Sequence, residues 1–307
     1  MKTLGGESDG AAPSNAVVGL LQGLALDHPI LGAYAEVIAC TAQKILRGRD
    51  INDMQHAEGV HTRLSQLVRP TNDGRVSIAE LFILVSAAFL HDIGKPAEHL
   101  RTNGSGLDHG ELSAQMIVER CDFQLLFPCN PLQERVAATV SVHNLSPASI
   151  AQLEPEDPLD PVSLGYLRIA DTRVRPRLLA ALLMLADDLE CSCERTRWLK
   201  PDDPRNCISD VQVSAEQGRI WYRFRYGTDA EKKEACEKRL RDILSNLAPY
   251  LAPYRFTFQY GRLEREWKGP TAPTSPPPIG TFGRVGRLVN EMLRTKAEQA
   301  KTLIPPM

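Results

Sequence analysis

Residues Ala87–Pro96 read A-A-F-L-H-D-I-G-K-P, the end of an apolar run beginning at Leu81 that closes on adjacent His91 and Asp92, just before Gly94 and Pro96. The run predicts a buried helix. An imidazole and a carboxylate at its end are costly to bury unless they pair or bind a metal. Together they suit Zn, Fe, Mn or Ni, and a carboxylate can bridge two ions. A His–Asp pair that only caps the helix is the competing reading of the dipeptide.

Outward from this run the pattern stays helical to about Arg197. Apolar residues recur at three and four over Ala16–Leu26, Ile30–Leu46, Met54–Val68, Ile78–Leu90, Glu111–Cys121, Leu132–His143 and Arg177–Leu189. Breaks fall at Asp27–Pro29, Pro70–Gly74, Gly94–Gly106, Phe127–Pro131 and Pro147–Pro161, where turn residues gather or a helix donor is missing. After Pro204 the period changes. Val211–Tyr226 alternates about Glu216–Gly218 as a hairpin, Ala230–Leu251 has helical spacing, and Tyr254–Tyr260 alternates again. The expected fold is mainly α: a helical bundle with a small α+β appendage of hairpin, helix and strand, and a tethered C-terminal helix. The boundaries read as a disordered lead over 1–14, with Ser14 or Asn15 as a cap, a helical domain over 15–204, the appendage over 205–267, a Pro-rich linker over 268–281 and an amphipathic tail helix over 282–307.

Composition narrows the class. With 307 residues, 43% of them hydrophobic, the chain can bury a substantial core. Residues 1–193 carry 15 Lys and Arg against 24 Asp and Glu, whereas residues 194–307 carry 21 against 14. That basic C-terminal part could face an acidic partner or nucleic acid, although a solvated surface is the commoner reading, and no aromatics interleave a dense basic patch, so nucleic acid is not favoured. Seven cysteines (40, 121, 129, 191, 193, 207 and 236) are scattered without C-x-x-C spacing. They read as reduced thiols, including the Cys191/Cys193 pair. With no run long enough to span a membrane and no secretory signal, the expected location is cytoplasmic.

The other histidines decide what His91 and Asp92 are for. His56 lies beside the stripe Val60, Leu64, Leu67; His61, about 140° further round the helix, cannot share an ion with it comfortably. His109 starts a helix whose Leu112, Met116 and Ile117 face inward. His143 ends a helix backed by Val136 and Val140, and Asp187 follows the apolar L-L-A-A-L-L-M-L-A. Each alone reads as an ordinary helix-end His or surface Asp. Repeated at the edges of several apolar helices, lone donors point to a metal site.

The order H…HD…H…H…D resembles the HD-domain superfamily of metal-dependent phosphohydrolases over about residues 50–200. The resemblance implies that His56, His91, Asp92 and Asp187 are the basic ligand set. It further implies that His109 and His143 are the added histidines of members holding two ions, with Asp92 bridging. L-L-A-A-L-L-M-L-A-D-D-L-E with Arg195 following, H-A-E-G-V and L-D-H-G-E-L-S-A look most like the HD hydrolases found with Hsp90-type ATPases. The chain departs from HD-GYP phosphodiesterases: His143 precedes Asn144, not a second His, and no G-Y-P follows the HD pair.

The expected activity is therefore hydrolysis of a nucleotide or other phosphate ester by water activated at divalent ions, two of them, with Mn, Fe, Ni, Zn, Co and Mg not distinguished. Lys95, one turn beyond His91, would meet phosphate as a point charge, and Arg195 would grip an oxygen bidentately. Asp188 would orient the attacking water or support Asp187. Two other readings use the same residues. One is a diiron oxygenase resembling myo-inositol oxygenase. The other is a nucleotide-sensing module whose tail helix meets a protein partner or a second copy.

Overall fold

The computed structural model describes residues 19–47, 51–68, 75–95, 108–162, 164–190, 203–215 and 217–261. The expected lead and its Ser14 or Asn15 cap, Cys191, Cys193, Arg195, the Pro-rich linker and the tail helix lie outside these residues. The helical body comprises α1 (Leu20–Asp27), α2 (Pro29–Arg47), α3 (Ile51–Leu67), α4 (Ile78–Leu90), α5 (His109–Glu119), the short α6 (Cys121–Gln124), α7 (Asn130–Ser141) and α8 (Pro176–Leu189). The appendage comprises β1 (Ile208–Ser214), β2 (Arg219–Phe224), α9 (Ala230–Leu251) and β3 (Gln259–Tyr260). No described helix is long and apolar enough to cross a membrane.

α4 is the axis of the body. It runs over the residues its periodicity predicts, and Ala79 to Leu90 are all buried against α1, α2, α3, α7 and α8. A capping box starts it: Ser77 Oγ accepts the Glu80 N–H at 3.1 Å, and Glu80 Oε2 accepts the Ser77 N–H at 2.8 Å. Glu80 has a second task. Fully buried, its carboxylate takes the Arg175 Nε–H at 2.8 Å, Nη2–H at 2.6 Å and backbone N–H at 3.0 Å, while Ser77 Oγ donates to the Arg173 carbonyl at 2.8 Å. This bidentate pair fixes the start of α8 to the start of α4, so that both helices run in register toward their far ends.

α1 begins at Leu20 rather than at Ala16, because Gly19 is extended and acts as N-cap. Two of the donors this exposes are met from α3: Ser65 Oγ accepts the Leu20 N–H at 3.0 Å and His61 Nε2 accepts the Leu21 N–H at 3.3 Å. His61, stacked on Phe89, is therefore a neutral structural acceptor, and burial lowers its pKa from 6.5 to about 4. A folded-state pKa below the unfolded one gives stability that is complete above pH 6.5 and lost as pH falls toward 4. His61→Gln keeps an acceptor but does not titrate. The stability advantage of the wild type over this variant should thus shrink between pH 6.5 and 4.5 in thermal melts, and parallel curves would contradict the assignment.

In the appendage β1 and β2 pair antiparallel, with Val211 opposite Tyr222 and Val213 opposite Ile220, as the alternation predicts. The turn closes on Gly218 at φ +60, where a Cβ would meet the Thr257 carbonyl oxygen at 2.2 Å. The last strand is shorter than Tyr254–Tyr260. A 3-10 turn occupies Ala252–Tyr254 and Arg255 is left-handed at φ 66, so only Gln259 and Tyr260 pair, parallel to β2. Phe256 still points into the core at 2% exposure, which is what its alternation recorded. α9 lays Cys236, Leu240, Leu244, Leu247 and Leu251 against the body.

Candidate metal centre

The far ends of the helices converge. His56 comes from the second turn of α3, whose Ala57, Val60 and Leu64 are fully buried. His91 caps α4 and Asp92 follows in the turn. Gly94 lets that turn touch α5: its N–H donates to Ser113 Oγ at 2.8 Å, and a Cβ there would lie 2.5 Å from the His109 carbonyl oxygen. A capping box between Asp108 and Glu111 starts α5 and presents His109 in its first turn. His143 follows α7, and Asp187 stands in the last turn of α8.

Asp92 lies at the middle and faces two ways. Its Oδ2 is 3.3 Å from both His56 Nε2 and His91 Nε2, and its Oδ1 is 3.5 Å from His109 Nε2 and 3.6 Å from His143 Nε2. Asp187 Oδ1 is 3.0 Å from His56 Nε2, which is itself 3.1 Å from His91 Nε2. Lys95 Nζ contacts Asp92 Oδ2. Among the described residues two overlapping groups could hold metal ions, His56 with His91 and Asp187, and His91 with Asp92 and His143; in each the donor atoms lie within 4.8 Å of one another.

The protons show what these atoms can do. His91 Nδ1 is 2.9 Å from the Ala88 carbonyl oxygen and His143 Nδ1 is 2.7 Å from that of Val140. His56 Nδ1 is 3.1 Å from Glu190 Oε2. A carbonyl or carboxylate only accepts, so each Nδ1 carries the hydrogen, and each neutral Nε2 presents a lone pair. Lone pairs of three imidazoles and oxygens of two carboxylates thus face one another, an arrangement that asks for a cation. His143 Nε2 is buried with no hydrogen-bond partner. The set of nitrogen and oxygen donors fits a divalent ion of the Mn to Zn series.

The electrostatics agree. Burial works against ionised Asp92, yet His91 and Lys95, with His143 and His56 beside them, hold its carboxyl well below the usual range. Burial pushes the His91 imidazole down against the pull of Asp92. At His143 burial also disfavours the charged form, but Asp92 and Asp187 outweigh it and raise the pKa.

The sequence-predicted residues His56, His91, Asp92, His109, His143, Asp187 and Lys95 thus stand together. Asp188 does not stand with them. One position on from Asp187, it is turned about 100° round α8 and contacts Arg239 Nη2 of α9, with Arg205 Nη1 at 3.9 Å. Where the sequence reading has Asp188 orient the attacking water or support Asp187, its contacts tie α8 to the appendage. Three residues went unassigned in the sequence. Glu190 holds His56. Asn144 places Nδ2 3.3 Å from His109 Nδ1, and Gly110 makes room for it, since a Cβ there would lie 2.5 Å from Asn144 Oδ1. The signal for Glu190 was an acid three residues after Asp187, hence on the same helical face, at the end of an apolar helix.

A bundle of helices that turns an adjacent His–Asp pair and further His and Asp residues onto one point resembles an HD-type domain. The HD-CE family model matches residues 46–197, which contain α3 to α8 and all of these side chains, so that this part of the chain is similar to an HD-type domain. No curated protein and no solved structure matches the chain.

Proposed function

We propose that the protein is a divalent-metal-dependent phosphohydrolase or phosphodiesterase acting on a nucleotide or other phosphate ester, of the branch of HD hydrolases associated with Hsp90-type ATPases. The observation that carries this reading is the convergence of acceptor atoms about Asp92 with Lys95 beside it. His56, His91, Asp92 and Asp187 would hold one ion, and Asp92, His109 and His143 a second. Ions bound there would acidify a water and neutralise phosphate oxygens.

The remaining work falls to the chain. His91, Asp92 and His143 form a buried floor, with side chains at 0, 2 and 1% exposure, while Lys95, His109 and Asp187, at 32, 21 and 20%, form the mouth. A phosphate would enter on that side. Lys95, moving from Asp92 onto a non-bridging oxygen, would supply a compact positive charge as charge grows there. Water adds to phosphorus, the P–O ester bond breaks with its electron pair leaving on oxygen, and the leaving oxygen takes a proton. The buried floor keeps the donor nitrogens fixed while this happens.

The test is hydrolysis by Mn2+- or Ni2+-loaded protein, without oxygen, of nucleotides, cyclic dinucleotides, oligonucleotides and model phosphodiesters. The reading expects turnover of at least one class, lost on chelation. Folded, metal-replete protein inert to the whole panel would overturn it, and turnover that requires iron and dioxygen would replace it with the oxygenase reading.

A further inference from the structure

His56 is held differently from the other donors. The Nδ1–H groups of His91 and His143 go to backbone carbonyls three residues back in the chain, neutral acceptors set by local geometry. That of His56 goes to Glu190, a side-chain carboxylate from another helix at 2% exposure. A carboxylate behind an imidazole fixes its tautomer and raises its basicity more than a carbonyl does. The contact also needs space. A Cβ at Gly59 would lie 2.5 Å from Glu190 Cγ, 2.7 Å from Oε1 and 2.8 Å from Cδ. Glycine inside a helix costs about 1 kcal/mol relative to alanine, and in α3 it admits the carboxylate one turn along from the histidine that carboxylate grips.

We propose that Glu190 is a positioning residue that holds His56 in the Nδ1–H tautomer with Nε2 turned to the centre, and that Gly59 is there to let it reach Nδ1. The proposal rests on the metal-binding reading above, but the hold on His56 is testable without metal.

The experiment combines 15N spectra of the histidine rings in metal-free protein with Mn2+ titration followed by electron paramagnetic resonance. In the wild type His56 should be the Nδ1–H tautomer, and in Glu190→Leu it should lose that preference. The Mn2+ Kd should rise about 10- to 100-fold in Glu190→Leu and in Gly59→Ala. Glu190→Gln, which keeps an acceptor and the packing but not the charge, should retain the tautomer and still bind about tenfold more weakly. Wild-type Mn2+ affinity in both Glu190→Gln and Gly59→Ala, or an unchanged His56 tautomer in Glu190→Leu, would overturn the proposal. Should the wild type itself take up no Mn2+, the metal reading fails, and the tautomer comparison still decides whether Glu190 governs His56.

Discussion

Asp92→Asn is expected to lower metal-dependent hydrolysis by ~10³-fold or more with the fold retained, because metal-held charge stabilisation is worth several kcal/mol and each 1.4 kcal/mol is tenfold. Asp92 presents both of its oxygens to opposing donors: Oδ2 to His56 and His91, Oδ1 to His109 and His143. Asparagine keeps the volume and one acceptor oxygen, but its amide offers hydrogens where a lone pair is needed and removes the negative charge. Each of the two proposed ions would lose a ligand at once. The fold should survive, since the walls are apolar helices and the His56, His91 and His143 imidazoles keep their Nδ1–H bonds. The check is a rate measurement beside circular dichroism and metal content. A variant that keeps its metal and more than a tenth of wild-type turnover would remove Asp92 from the centre of the chemistry.

The second large effect lies at the other end of α4, about 20 Å away at 1.5 Å per residue. Glu80→Ala is expected to destabilise the protein by about 3–5 kcal/mol, since it leaves the guanidinium of Arg175, 4% exposed, buried without its counter-charge. That is a large share of the roughly 5–15 kcal/mol by which native domains are stable. The capping box on Ser77 goes with it. The double variant Glu80→Ala/Arg175→Met should recover much of the loss, because replacing both partners removes the unpaired charge. Urea unfolding measures each. A loss under 1 kcal/mol in the single variant, or a double variant no better than the single, would contradict the assignment. Metal affinity of whatever fraction stays folded should not change, since no donor of the centre lies near Glu80.

What the sequence disclosed follows from what sets each feature. α4 and α9 are read to the residue because their starts are local: Ser77 caps the first and Asp229 the second, and both apolar stripes are decided within one helix. His56 is separable from His61 by rotation alone, and the structure sends His61 to α1 and His56 to Asp92. The residues left unread depend on a second element. The face of α3 that meets α8 cannot be seen in either helix, so Gly59 and Glu190 are uninformative apart and explain each other together. Asp188 turns away because α9 brings Arg239 to it, a contact between residues 51 positions apart. The last strand failed on a backbone matter, the left-handed Arg255, which its alternating side chains do not reveal.

The central claim is that α3, α4 and α8 aim acceptor atoms at one point because a cation belongs there. Anomalous diffraction from crystals of the protein equilibrated with Mn2+ tests it most directly. The account predicts a peak bounded by His56, His91, Asp92 and Asp187, absent in Asp92→Asn. Well-ordered side chains with no peak among them at saturating Mn2+ would contradict it.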